Sequence, residues 1–286
     1  MPKIEANGIP IHYIQRGAGP DIILLHGVTS SLAMWYNGVI PALSEKFRVT
    51  AYDLRGHGLS GLTPTGYSSK SMSEDLHALM DAIGIEKAVM VGHSFGGAIA
   101  LHHALLYEDR VQGVVMLDSG LACLRHLRII EDWGGWKDRP QLFMERGLTL
   151  EQFLEIDTKQ DVTEVLRHGL NMPRQAGFKK GQSAMTPRMA RLLEETKLGY
   201  EFRDVAGFTE DLLPQITAPV LALYGAKSPY QKMATALAEV LPHCRYDVLT
   251  GTGHFYAVHR PELLVTPVQE FADDPVAYVS ATARIE

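Results

Sequence analysis

The sequence predicts an α/β protein, with a mostly parallel eight-stranded sheet flanked by helices and interrupted by an inserted helical cap. Three observations carry this. Short apolar, β-branched runs alternate with amphipathic stretches of helical period, as in sheets covered on both faces. An Asn7-Gly8 pair between two strand-like runs is a strong hairpin signal near the start of the chain. The alternation then stops over residues 120–208, where charged amphipathic stretches stand with few strand-like runs.

The elements follow in order. Ile4 to Ala6 and Ile11 to Gln15 flank the hairpin turn, so the chain opens with an antiparallel pair. The remaining strands are Ile22 to Leu25, Val49 to Tyr52, Ala88 to Val91, Val114 to Leu117, Val220 to Tyr224 and Arg245 to Leu249. Helical patterns fall between them at Leu32 to Glu45, Ser71 to Ile83, Phe95 to Tyr107, Gln231 to Leu241 and Pro261 to Phe271. Such an order folds as a parallel sheet wrapped by helices. Residues 1–119 and 209–286 form the two parts of this core, and 120–208 the cap, with helical stretches at Leu150 to Ile156, Asp161 to His168 and Pro187 to Lys197. The cap follows a strand end and should cover the carboxyl edge of the sheet, where open α/β sheets bind ligands. Beyond Asp274 the pattern is weak and the tail is expected to fray.

Composition sets limits on function. The chain has 286 residues, 46% of them hydrophobic, enough for one large core plus an insert. A formal net charge of -6 leaves no global basic surface, which argues against nucleic acid as a partner. The first eight residues contain Glu5 and a turn where a signal peptide needs an unbroken apolar run, and no apolar run reaches the roughly 20 residues that cross a bilayer. Cys123 and Cys244 have neither metal-ligand spacing nor a disulfide framework, which fits a reducing cytoplasm. The expectation is a cytoplasmic protein with no membrane partner; the oligomeric state is not fixed by sequence.

The chemistry-bearing motif is Val91-Gly92-His93-Ser94-Phe95-Gly96-Gly97, where strand formers meet a small-residue helix with almost nothing between. Glycine two before and two after leaves room for a turn so sharp that the serine hydroxyl is lifted clear of the sheet, the arrangement of a nucleophile elbow. A phosphate-cradling turn needs a different glycine spacing and a nearby lysine. Three more segments stand in a fixed order with it: Leu24-Leu25-His26-Gly27-Val28, Asp53-Leu54-Arg55-Gly56-His57-Gly58-Leu59-Ser60, and Gly251-Thr252-Gly253-His254. Together they resemble the α/β-hydrolase family over nearly the whole chain outside the cap.

The resemblance implies serine-hydrolase chemistry. A serine hydroxyl needs a histidine to take its proton and a carboxylate to hold that histidine. His254 follows the last strand, where the family carries its general base. The family's commonest acid position, a few residues after the seventh strand, reads Tyr224-Gly225-Ala226-Lys227-Ser228-Pro229-Tyr230, and no Asp or Glu occurs between Val220 and Lys232. Asp118 ends the strand after the one carrying Ser94 and keeps the order serine, acid, histidine. Two other readings stay open: a strand-end Asp118 that binds its own turn, or an orientation of His254 by Ser228 or water with no acid. By resemblance the oxyanion donors are the amides of Phe95 and Val28, while Asp53 and Arg55 brace their loop.

Among the other histidines, His259 reads as a capping or surface residue. His93, beside Ser94 on a sharp turn, is expected to point away from it, and the rest read as packing or surface groups. Trp35 and Phe255 are the substrate-binding candidates, with Met34, Tyr256 and the cap's Trp133 and Trp136 as further apolar residues near the mouth. No metal or organic cofactor is required.

The expected reaction is hydrolysis of a carboxylic ester or thioester of a small molecule through an acyl-enzyme. Carbon-carbon hydrolysis, lyase or acyltransferase chemistry on the same parts stays open, as does a non-catalytic small-molecule receptor. An acyl carrier is a possible partner if Arg125, Arg128, Lys179 and Lys180 form a landing patch.

Overall fold

The structure is a computed structural model, and it describes residues 2–128, 163, 166 and 186–281. Eight strands form one sheet: β1 (Lys3–Ala6), β2 (Ile9–Arg16), β3 (Asp21–Leu25), β4 (Arg48–Tyr52), β5 (Ala88–His93), β6 (Val111–Leu117), β7 (Val220–Gly225) and β8 (Cys244–Leu249), in the order β1-β2-β4-β3-β5-β6-β7-β8. β2 pairs antiparallel with β1 and β4, and every other pairing is parallel. Asn7 and Gly8 join β1 to β2 with φ of 50° and 72°, the positive pair that a two-residue hairpin turn demands.

The central strands are apolar throughout because both faces are covered. Ile23 and Leu25 of β3 face a core shared with α2 (Ser69–Ile83), α3 (Phe95–Leu106) and α6 (Gln231–Val240). Ile22 and Leu24 face the other core, shared with α1 (Val39–Leu43), α7 (Tyr256–His259) and α8 (Glu262–Asp273). Helix α2 is bounded as its sequence dictates: the Ser68 hydroxyl accepts from the Ser71 amide, and Gly84 ends the helix in the left-handed region at φ 69°.

Two helical expectations change. The stretch Leu32 to Glu45 is not one helix but a 3-10 turn (Leu32–Trp35) and the short α1, because Gly38 breaks the run at φ 94°. The tail after Asp274 does not fray at once: the Asp274 carboxylate accepts from the Ala277 amide and caps α9 (Pro275–Ser280), whose Pro275 sits at the helix start. Of the cap, Leu150 to Ile156 and most of Asp161 to His168 lie outside the described residues. The stretch from Pro187 forms α4 (Pro187–Glu195) and α5 (Leu198–Glu201), and the amides of Gly66 and Tyr67 donate to the Glu201 carboxylate at 2.7 and 2.8 Å. No helix among the described residues is long and apolar enough to cross a membrane.

The junction of β5 with α3 leaves no room for side chains. A Cβ on Gly96 would stand 2.3 Å from the Leu25 carbonyl oxygen, and one on Gly92 would stand 2.3 Å from the Gly96 carbonyl. Both obstacles are backbone, so neither can swing aside. Gly96→Ala is expected to lower the unfolding free energy by about 1–3 kcal/mol, the usual cost of overpacking. Urea unfolding measures this, and an unchanged midpoint would show that the junction can widen.

Candidate active site

Strand β5 is buried along its whole length and ends at His93. The chain reverses at Ser94, with φ 55° and ψ −121°, and α3 begins at Phe95. For a residue with a side chain this backbone costs about 1–3 kcal/mol and persists only when its surroundings impose it. Here the Ser94 amide donates to the Leu117 carbonyl of β6 at 3.0 Å, and the Ser94 carbonyl accepts from the Gly97 amide at 3.1 Å. The amide of Phe95 is the first in α3 and has no carbonyl four residues back within the helix, so it is available to a ligand.

Asp118 follows β6 in the left-handed region at φ 49° and is fully buried. Its carboxylate accepts three hydrogen bonds from two other parts of the chain. Oδ1 takes His254 Nδ1–H at 2.9 Å and the Ser228 hydroxyl at 2.5 Å, and Oδ2 takes the Gly225 amide at 2.8 Å. Burial alone would push this carboxyl up. The hydrogen bond and charge of His254, with the donors Ser228 and Gly225, outweigh burial and hold it below its ordinary value. His254 sits on the loop after β8, its ring 5.0 Å from that of His93 and 5.4 Å from that of Tyr230. Among the described residues the Ser94 hydroxyl makes no hydrogen bond to His254, a contact that is often long without substrate and tightens in the complex.

The loop after β3 lies against the elbow: a Cβ on Gly27 would stand 3.0 Å from Ser94 Cβ. Val28 follows, half-buried, and Thr29 takes φ 62°. Two buried imidazoles fix this loop to the one after β4. His57 accepts the Thr29 amide on Nε2 at 3.1 Å and donates from Nδ1 to the Arg55 carbonyl at 2.7 Å. His26 accepts the Leu54 amide on Nε2 at 3.0 Å and donates from Nδ1 to the Gly27 carbonyl at 2.8 Å. Each ring therefore has to be neutral. Burial lowers both, His57 to about 3. The Asp53 carboxylate accepts the amides of Leu32 and Leu59 and bonds His12 Nδ1 at 2.6 Å, while Arg55 pairs with the buried Asp75.

The model of the "alpha/beta hydrolase fold" family matches residues 20–259. The chain belongs to this family. A soluble epoxide hydrolase of Corynebacterium sp. (strain C12) is 40% identical over 112 residues, 39% of this chain and 39% of that protein. A 2-(acetamidomethylene)succinate hydrolase of Mesorhizobium japonicum is 26% identical over 283 residues, 95% of this chain and 94% of that one. Among solved structures, a meta-cleavage product hydrolase (CumD) is 26% identical with a TM-score of 0.64, covering 96% of this chain and 98% of that one.

On this α/β-hydrolase scaffold two residues expected near the substrate are buried in the core instead. Trp35 is fully buried in the core shared by α1 and α8, beside Ile22, Leu24 and Val49, and cannot touch a substrate without unpacking that core. The 3-10 turn that carries it aims the indole at the face of the sheet away from α3. Tyr256 is likewise buried, its hydroxyl donating to the Leu223 carbonyl. Phe255 is half exposed, with its ring 4.9 Å from that of His254, and remains beside the site.

A small pocket next to the elbow is lined by Phe95, Ala98, Leu121, Phe202 and Phe208. The Arg128 guanidinium lies 5.5 Å over the ring of Tyr230. Trp133, Trp136, Lys179 and Lys180 lie outside the described residues. No group of three or more metal-ligating side chains occurs among the described residues.

Residues that sequence reasoning assigned to packing turn out to shape the site. His26 and His57 brace the loop of Val28 and His93 contacts the loop of His254, while Ser228, expected either to mark a missing acid or to orient His254, donates to Asp118. Besides His26 and His57, burial also pushes His93 and His102 down to about 4 and His103 to about 3. In the unfolded chain these rings protonate near 6.5, so below that pH the unfolded state binds more protons and stability falls. Urea unfolding between pH 7.5 and pH 5 should therefore show stability decreasing with acidity, by more than one proton's worth, about 1.4 kcal/mol per pH unit, below pH 6. A flat profile over that range would contradict the neutral-histidine assignment.

Proposed function

We propose that the chain is a serine hydrolase that cleaves a carboxylic ester or thioester of a small molecule through an acyl-enzyme. The observation that carries this reading is the hydrogen bond from His254 Nδ1–H to the buried, ionised Asp118, at the edge of the sheet where the strained Ser94 is presented. An imidazole held at Nδ1 in this way has its Nε2 lone pair free to take a proton, and the carboxylate stabilises the imidazolium that results.

In this mechanism Ser94 Oγ attacks the substrate carbonyl carbon while its proton passes to His254 Nε2. The carbonyl oxygen, now an anion, accepts the amides of Phe95 and Val28; each such donor is worth about 3 kcal/mol in the transition state. The tetrahedral intermediate collapses, its bond to the leaving group breaks, and His254 returns the proton to the departing alcohol or thiol. Water then attacks the Ser94 ester with His254 again as base, and release of the acid restores the serine.

A serine nucleophile also narrows the substrates. If Ser94 opened an epoxide, the product would be an ether on Oγ, which has no carbonyl for water to attack, so turnover would stop. A carbonyl substrate leaves an ester that water can release. The second reading, hydrolysis of a carbon-carbon bond beside a ketone, is favoured by the full-length likeness to the meta-cleavage product hydrolase. It uses the same serine, histidine and oxyanion donors.

The deciding experiment is kcat/KM for one acyl group presented as an oxygen ester, a thioester and the corresponding vinylogous 1,5-diketone, in which a C=C bond lets the departing carbon leave as a dienolate. Turnover of an ester or thioester, lost by on the order of 1,000-fold or more in Ser94→Ala, is the expected result. Faster turnover of the diketone would move the assignment to the second reading. No turnover of any of the three would overturn the hydrolase reading and favour a receptor or a non-hydrolytic reaction.

A further inference from the structure

We propose that His93 is a positioning residue, holding the backbone of His254 through an Nε2–H hydrogen bond and so setting the distance between base and nucleophile. The inference rests on the reading of Ser94 and His254 given above. His93 Nε2 lies 2.9 Å from the carbonyl oxygen of His254, across 161 residues of chain. A carbonyl can only accept, so Nε2 must carry the proton and Nδ1 must be bare. Nδ1 is buried and has no hydrogen-bond partner among the described residues, facing Gly27 instead, where an added Cβ would stand 3.4 Å away. Burial, and then the charge of His254, lowers His93 to about 4, so the ring stays a neutral donor when His254 becomes an imidazolium.

The loop that carries His254 needs such a hold. It contains Gly251, at φ 70°, and Gly253, and both lower the cost of changing its path. The bond from Nδ1 to Asp118 fixes one atom of the imidazole but lets the ring pivot about that contact. The bond from the His254 carbonyl to His93 fixes the backbone end of the same residue, and the two rings lie 5.0 Å apart at 32°. His93 and Ser94 are consecutive, with Cα atoms about 3.8 Å apart. The base is thereby referenced to the nucleophile through one side chain and one peptide unit, not through the width of the sheet. Lysine or arginine here would supply a donor but add a fixed positive charge against the imidazolium that forms.

The test compares His93→Phe, which keeps a flat ring without the donor, with His93→Gln, which places an amide donor near the position of Nε2. A misplacement of about 1 Å can cost 100-fold in rate. For His93→Phe we expect kcat to fall roughly 30- to 100-fold with KM within about threefold of the parent, as lost positioning requires. His93→Gln should recover at least tenfold of that loss, with the thermal midpoints of both variants alike. A purely structural role would move the midpoints and leave Gln no better than Phe.

His93→Phe within threefold of the parent, or folded His93→Gln no faster than His93→Phe, would overturn the proposal. Should His93→Phe not fold, nitrogen NMR of the parent decides. His93 as the neutral Nε2–H tautomer from pH 5 to 8 supports the assignment, and the Nδ1–H tautomer or an ordinary titration overturns it. Because that spectrum does not depend on turnover, failure here is separable from failure of the hydrolase reading, which Ser94→Ala reports.

Discussion

The carboxylate of Asp118 is the point on which the site turns. It is fully buried, and an ion in that position is tolerated only when its oxygens are satisfied by hydrogen bonds and opposite charge. The satisfying groups come from the loop after β7, which supplies Gly225 and Ser228, and from the loop after β8, which supplies His254. One anion at the end of β6 thus draws three neighbouring strand ends together. Ser228, at the position where the resemblance places the commoner acid, donates to the Asp118 carboxylate one strand earlier.

Around that anion the sheet edge is stiffened by buried polar groups of two kinds. Asp53 is an acceptor for amides on two loops, and His26 and His57 each accept one amide and donate to one carbonyl. A neutral imidazole suits this task because it presents one donor and one acceptor on opposite sides of a rigid ring. Loops that would otherwise be free at the carboxyl edge are in this way joined to each other before any substrate arrives. Oxyanion stabilisation relies on such preorganisation, since donors already in place need not rearrange during the reaction. The network also ties the arrangement to neutral pH, where the rings are uncharged.

Much of this was legible in the sequence, and for local reasons. Strands buried on both faces announce themselves as unbroken β-branched runs, and the elbow announces itself through Gly92 and Gly96, whose lack of a Cβ is a steric requirement of the turn. Asp118 stood out by elimination, since the loop after β7 offers no carboxylate. What sequence could not show depends on contacts between distant segments or on the side of the sheet a residue faces. Trp35 lies close in sequence to His26 and Gly27, yet the 3-10 turn sends it into the opposite core. Ser228 read as a missing acid because its donor role exists only once β6 and β7 lie side by side. His93 read as pointing away from Ser94, and its actual partner lies 161 residues further on.

The central claim is that Asp118, through His254, makes Ser94 a nucleophile. The most direct measurement is the rate at which a fluorophosphonate labels the intact protein, with the modified residue located by mass spectrometry. A single adduct on Ser94 is expected in the parent, with labelling slowed by roughly 100-fold or more in folded Asp118→Asn and His254→Ala, since the imidazole loses its orientation in one and is absent in the other. Labelling of Asp118→Asn at the parent rate, or an adduct elsewhere than Ser94, would contradict that claim.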